Sequence, residues 1–437
     1  MSGAGDLPDA VPGTRWWPWK VAVFLLFATA LSYLDRQALN VVAPLVKEDL
    51  GLDNAQLGAL FSAFLLAYGV MHLFVGFFLD RFNIRVVYVV FVALWSVCQV
   101  VAGLVRSFEG LRAARFGLGT FEAAGQPGAA RIISRILPAK DRAFANGIMM
   151  SGGSVGAMLA PLLMIYLAQT LGWRTGFIIV GALGLVWSLA FFAWFRPPSK
   201  PDQPKGAADN TASRVMDSWR VILRNPRFWA CVVGALLVIP IIHIVSAWTA
   251  VYFAQAWKMK VDFKLGGFLF LTSAGLDVGF LAGGAAVSLL IRRGAGVGKA
   301  RKVVLLIAAL LMFGCALVPF APHVGFAVAL LFLLHVGRAA WGAIFLAFNQ
   351  DIAPGRVGMI AGIMGAIGAL TASLLVWIVG VLSQGSGFAV PFVMIGLMPI
   401  AATIPFLLLN WDRGDTEPSA PHTSAQAIEW ENRKPAR

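Results

Sequence analysis

The chain has 437 residues, 59% of them hydrophobic and only 13% charged, with 35 Lys and Arg against 21 Asp and Glu for a formal net charge of +14. Soluble domains carry about 25% charged residues, so this composition excludes an ordinary soluble fold. The positive excess forms no single stripe. It alternates with apolar stretches of about 20 residues, which excludes a nucleic-acid partner in favour of a lipid bilayer crossed many times.

Residues 1–18 are polar, with Asp6, Asp9 and three prolines, and lack the basic and apolar regions of a cleavable signal, so the first span is expected to be its own insertion signal. Hydropathy predicts spans over 19–43, 54–79, 86–105, 109–131, 143–168, 175–195, 228–256, 265–291, 303–320, 324–349, 357–382 and 388–410. The fold class that follows is an all-α membrane protein with twelve transmembrane helices in two pseudo-symmetric six-helix bundles. The bundles cover 19–195 and 228–411. Between them, 196–227 contains PPSKPDQPKGAADNTAS and reads as a flexible linker; 412–437 reads as a disordered tail. Most basic residues fall in the tails, the linker and the loops after even-numbered spans, which places both termini and the linker in the cytoplasm. The 46 glycines suit close helix packing, and Cys98, Cys231 and Cys315 show no paired spacing, so they are expected to fill helix interfaces.

The chemistry is concentrated in a few charges. Asp35 and Arg36 lie deep in span 1, where a charge costs about 2.5–3.5 kcal/mol on insertion scales. Their expected partners are Arg115 and Glu122 in span 4, two helical turns or about 10.5 Å apart on one face. A permanent Arg115–Glu122 or Asp35–Arg115 ion pair that only holds helices together is the structural alternative. A guanidinium matches a carboxylate with two parallel hydrogen bonds, which makes Arg36 the candidate clamp for an anion. A buried carboxyl whose surroundings change can take up and release a proton, and Glu122 is the candidate for that. Asp35 and Arg115 form the second coupling pair. Tyr33, Tyr68, Gln126 and Asn146 are polar groups that can face a hydroxylated ligand; core packing is the alternative for the two tyrosines.

After span 2 the chain reads GFFLDRFNIR, with Gly76, Asp80, Arg81 and Arg85 in the spacing GxxxDRxxxR and Asn83 where a glycine is usual. This motif resembles the cytoplasmic loop signature of the major facilitator superfamily. YLDRQAL (33–39), RFGLGTFEAAGQPGAAR (115–131) and GWRTGF (172–177) resemble its anion–cation symporter family. LDVGFLAGGAAVSLLIRRGAGVGKARK (276–302) and GIMGAIGA (362–369) are similar to bacterial hexuronate and sugar-acid transporters. The resemblance implies proton coupling at Glu122 and substrate binding at Arg36. Asp80, Arg81 and Arg85 are expected to latch a cytoplasmic gate, with positive-inside signalling as the plain alternative.

The second half has its own interior polar set: His243, Asp277, His335, Arg338, Trp341 and Asn349. Arg338, Trp341 and His335 are candidate substrate contacts. Arg338 either clamps a second carboxylate or pairs with Asp277 as a structural element. The resembled carriers place an asparagine shortly after the tryptophan; here the chain reads Trp341-Gly-Ala-Ile344, a departure that leaves a less hydroxylated acid open. No GxxxxGK[ST] phosphate loop and no metal-spaced His/Cys cluster appears, so no enzyme activity, cofactor or metal is expected. The leading expectation is a proton-coupled importer of an organic anion in the bacterial inner membrane, acting as a monomer. Import of an aromatic or dicarboxylic acid, and an exporter or antiporter of the same fold, are the alternatives. A membrane sensor would need a soluble output domain that the linker and tail are too short to hold.

Overall fold

The structure, a computed structural model, describes residues 16–196, 222–352, 357–385 and 387–411. The expected tails and most of the central linker, at 1–15, 197–221 and 412–437, lie outside the described residues. Among the described residues all regular structure is helical. The first half comprises α1 (Trp17–Asp49), α2 (Asn54–Arg81), α3 (Ile84–Leu104), α4 (Phe108–Glu122), α5 (Gly125–Ile136), α6 (Ala139–Leu171) and α7 (Trp173–Trp194). The second comprises α8 (Pro226–Leu237), α9 (Ile239–Ala256), α10 (Phe263–Arg292), α11 (Val297–Phe313), a 3-10 turn (Gly314–Phe320), α12 (Val324–Ile352), α13 (Val357–Gly385) and α14 (Ala389–Leu408).

These make twelve spans, because spans 4, 7 and 9 are each built from two pieces. Eleven helices among the described residues are long and apolar enough to cross a membrane by length and composition. The exception is span 4, whose break after Glu122 leaves pieces of 15 and 12 residues. Span 7 breaks at Val238, just before Pro240, which has no N–H to continue the ladder. Phe27, Leu73, Phe77, Leu189 and Leu281 are all more than half exposed, a ring of apolar surface suited to lipid and not to water.

Short local signals set the helix starts. Asp53 and Gln56 form a reciprocal capping box at α2, with bonds of 2.7 and 3.0 Å. Asp262 accepts from the Leu265 N–H at 3.0 Å to open α10. Asn83, which stands where the loop motif usually has glycine, caps α3 by accepting from the Arg85 N–H at 3.0 Å.

The two halves repeat one packing scheme. In the first, α1 packs on α6, α2 on α4 and α3 on α7. In the second, α9 packs on α13, α10 on α12, and α11 with its 3-10 turn on α14. Between halves, α2 meets α13, α6 meets α10 and α1 meets α9, as a two-fold axis through the middle requires. Within the first half, glycines set the closest approaches. A Cβ on Gly152 or Gly156 of α6 would stand 2.1 or 2.2 Å from the Leu26 or Ala30 carbonyl oxygen of α1. A Cβ on Gly119 of α4 would stand 2.2 Å from the Phe64 carbonyl oxygen of α2.

The halves are joined at the end of the bundle that holds the α1–α2 turn. Ser62 and Ser373 hydroxyl oxygens lie 2.8 Å apart, and Ser373 also donates to the Ser62 carbonyl at 3.1 Å. Asn54 donates to the Ser383 hydroxyl at 3.0 Å and accepts from the Gln255 amide at 3.0 Å. Gln169 donates to the Val261 carbonyl at 3.2 Å. A Cβ added to Gly58 or Gly69 would stand 3.2 Å from Trp377 or Ala369 of α13. Toward the opposite, arginine-rich end the seam widens: a Cβ on Gly147 of α6 or Gly284 of α10 would meet nothing within 4 Å. If the Ser62–Ser373 contact belongs to the resting state, cysteines at both positions, with Cys98, Cys231 and Cys315 replaced by alanine, will cross-link under mild oxidant. The halves then stay together after cleavage at a protease site inserted in 197–221, and separate on reduction.

Candidate functional site

Ser32, Tyr33 and Arg36 share one face of α1, being one helical turn apart or adjacent, and that face looks into the middle of the bundle. Arg36 donates from Nε at 3.2 Å and Nη2 at 2.7 Å to Oε1 of Glu122 on α4. The Ser32 hydroxyl donates to the same oxygen at 2.5 Å. Glu122 is 2% exposed, and its Oε2 has no partner among the described residues. The rings of Tyr33, Phe64 and Tyr68 stand 5.1, 5.1 and 4.8 Å from the Arg36 guanidinium carbon. They form an aromatic cage that disperses the cation without consuming its hydrogen bonds. The Gln126 amide on α5 donates to the Tyr33 hydroxyl at 3.5 Å.

The Arg115 guanidinium carbon also stands 5.0 Å from the Phe64 ring. It is 2% exposed and donates from Nη1 to the Asp35 backbone carbonyl at 3.4 Å. Its Nε and both carboxylate oxygens of Asp35 have no partner among the described residues. The expected Arg115–Glu122 and Asp35–Arg115 ion pairs are therefore corrected. The two span-4 residues are two turns apart, and Arg36, arriving from α1, is the cation within reach of Glu122.

In the second half, the buried Nε of Arg338 on α12 has no partner among the described residues, and His243 on α9 is half-buried. The Arg338–Asp277 pair is not formed. Gly275 and Gly279 are the α10 face that meets α12, and Asp277 is about 200° around the helix from Gly275. Its carboxylate accepts from the Ser154 hydroxyl of α6 at 3.1 Å instead. Trp341 is also corrected as a substrate contact. It is 1% exposed, donates to the Thr403 hydroxyl at 3.2 Å and stacks on Phe345 in the core of the second half. His335 is buried, with Nδ1 2.8 Å from its own helix's Leu331 carbonyl, and lines a narrow cavity with Gln37, Asn40 and Thr272. Asn146 and Asn349 each have a buried side-chain oxygen without a partner among the described residues.

The pattern described as Major Facilitator Superfamily matches residues 25–374. The chain belongs to the major facilitator superfamily. Among curated relatives, a hexuronate transporter of Escherichia coli (strain K12) is 26% identical over 410 residues, which are 90% of this chain and 93% of that one. A D-galactonate transporter of Escherichia coli O6:H1 is 28% identical over 430 residues, 93% of this chain and 99% of that one. The solved structure of a bacterial homolog of the human lysosomal transporter Spinster, inward-facing and unoccupied, matches with a TM-score of 0.73 at 21% identity, covering 91% of this chain and 96% of that one. At that identity the likeness concerns the fold.

The superfamily's loop motif has a physical role here. Asp80 pairs with Arg131, tying the end of α2 to α5. Arg85 bonds the Phe192 carbonyl and stands 4.5 Å over the Phe192 ring, tying α3 to α7. Arg81 is exposed in the last turn of α2. The Asp80 and Arg85 contacts lie within the first half, where they brace it as a body. Three residues at the site escaped the sequence reading: Ser32, Phe64 and His72. His72 has its ring 4.7 Å from Tyr68 and a buried Nδ1 without a partner among the described residues. Ser32 is one turn before Arg36 and His72 one turn after Tyr68, a spacing that could have flagged both.

Arg115→Met leaves the buried Asp35 backbone carbonyl without its side-chain donor and is expected to destabilise the protein by about 1–3 kcal/mol, as read from unfolding of the purified variant.

Proposed function

We propose that the protein is a proton-coupled importer of a sugar acid or closely related carboxylate, working by alternating access. The observation that carries this reading is the Arg36–Glu122 contact. A carboxylate of the protein occupies the guanidinium that an incoming carboxylate needs. The curated relatives named above carry sugar acids, and Tyr33 and Tyr68 of the cage, with Gln126 beside Tyr33, offer hydroxyl and amide groups to such a ligand.

A proton arriving at Glu122 cancels its charge and weakens its hold on Arg36. The freed fork then takes the substrate carboxylate with two parallel hydrogen bonds. After the halves rock, loss of the proton restores the Arg36–Glu122 contact and displaces the substrate. Competition for one guanidinium thus couples the two movements. Asp35 and Arg115, with no ion pair between them, act as the second coupling set. The arginine-rich end faces the cytoplasm of a bacterial inner membrane, with both termini on that side. The joined end then faces outward and the seam opens inward. Asp80, Arg81 and Arg85 stiffen the first half as it moves, so that closing the inner gate is a rigid-body step.

The energetics call for a co-transported cation. Carrying one negative charge into a negative interior costs about 2.3 kcal/mol per 100 mV, which one proton per carboxylate cancels. In proteoliposomes, uptake of sugar acid is expected to rise when the outside is made acid and to collapse with a protonophore. Glu122→Gln is expected to keep binding within a few-fold but to lose gradient-driven accumulation. Arg36→Ala is expected to lose binding. Uptake of a bound sugar acid indifferent to the pH gradient would overturn the coupling.

A further inference from the structure

Among the described residues, Asp277 is the acid at mid-membrane depth that the cycle above leaves unused. It stands halfway along α10, and the Ser154 hydroxyl that donates to it at 3.1 Å stands halfway along α6. The bond therefore crosses from one half to the other. Asp277 is half-buried and makes no ion pair among the described residues, at a depth where an unpaired charge is costly.

The helices around it do not neutralise it. α6 carries no titratable residue from 143 to 165. On α12, His335 and Arg338 lie within the stretch that Gly275, Gly279 and Gly283 meet, and Asp277 is about 200° around α10 from Gly275. On α11, Arg301 pairs with Asp351, Lys302 donates to the Leu407 carbonyl at 2.9 Å, and Lys299 stands in the first turn. His243 of α9 makes no bond to Asp277 among the described residues. Arg292 and Arg293 are about four turns further along.

The bond lies between the substrate site and the opening of the seam. Beside Ser154, a Cβ on Gly153 would stand 3.0 Å from the Tyr33 ring of the Arg36 cage. On the other side, two turns toward the arginine-rich end, are Gly147 on α6 and Gly284 on α10, where an added Cβ would meet nothing within 4 Å. In the opposite direction α6 and α10 are close: a Cβ on Gly266 would stand 2.9 Å from Ile165. Ser154 and Asp277 thus mark where the two helices part.

We infer that Asp277 is a proton-binding latch, which takes a proton from the arginine-rich side whenever the seam closes there. This rests on the alternating-access reading above and adds to it a proton site outside the Arg36 cluster. With the seam open, the carboxylate faces the gap and accepts from Ser154. Rocking brings α6 and α10 together on either side of it and withdraws it from water. No cation reaches it, so the closed seam favours the neutral acid. The acid O–H can then donate to the Ser154 oxygen, and the bond survives with donor and acceptor exchanged. The proton comes from the side on which the seam opens and returns there. It moves no net charge across the membrane and makes the return of the empty carrier depend on the acidity of that side.

The test uses the full-length transporter with Cys98, Cys231 and Cys315 replaced by alanine and spin labels at Gly147→Cys and Gly284→Cys, where the structure leaves room. Pulsed electron paramagnetic resonance reads the distance across the seam without substrate. Lowering the pH from about 8 to about 5, into the carboxyl range, is expected to shift the labelled parent toward short distances. Asp277→Asn and Asp277→Ser, neither of which titrates, are both expected to lose this response and to keep the short-distance fraction at its acid level throughout. Ser154→Ala, which removes the bond and keeps the acid, is expected to retain the response. A role confined to holding the helices predicts the reverse, because asparagine still accepts from Ser154. In a Glu122→Gln background the response is expected to persist until Asp277→Asn is added. A response that Asp277→Asn leaves intact, or that vanishes in Glu122→Gln alone, would overturn the latch and leave the transport reading standing. A seam distance in the labelled parent that changes neither with pH nor with added galactonate or galacturonate would overturn both.

Discussion

Charge inside a bilayer has to be balanced by the protein itself, and here that balance is struck at Glu122. Its Oε1 holds Arg36 and Ser32 together, at 2.7 and 2.5 Å. Much of the first half serves this contact. Gly152 and Gly156 let α6 press α1 inward, and Gly119 lets α4 lie on α2, so that side chains from three helices converge. The Phe64 ring stands 5.1 Å from the Arg36 guanidinium carbon and 5.0 Å from that of Arg115. The acid and the cation of this contact both stand on the first half. The site is thus asymmetric in charge although the halves repeat one packing scheme.

The broken spans fit this asymmetry. Span 4 is interrupted directly after Glu122, and span 7 at Val238, five residues before His243. Both interruptions sit close to polar side chains, Glu122 in span 4 and His243 in span 7. Irregular backbone at membrane depth is tolerated only when protein or water covers it, and Ala123, Ala124 and Val238 are fully buried. An interrupted helix also gives its halves separate directions, so Gln126 on α5 reaches Tyr33 while Glu122 on α4 reaches Arg36.

Much of the fold was legible in the sequence because hydropathy over about 20 residues is a strong signal, and the twelve spans fall where it placed them. Helix ends ran further, as in α1 to Asp49 and α6 from Ala139, since helix continues past the apolar window into polar residues. The site was legible as a set of charges but not as a set of pairs. Spacing along one helix placed Arg115 and Glu122 on a common face; which cation meets which acid depends on how α1 approaches α4. The same limit hid the turn of Asp277 toward Ser154 and the burial of Trp341. Phe64 was missed because one more phenylalanine in an apolar helix carries no mark of its role.

The groups that join the halves at the α1–α2 end are serine hydroxyls, amides of Asn54, Gln255 and Gln169, and backbone carbonyls. None of these titrates in the ordinary range, and none depends on ionic strength as an ion pair does. A closure made this way is indifferent to the acidity and salinity of the medium it faces. Environmental swings therefore leave these bonds unchanged. Neutral bonds of this kind are individually weak.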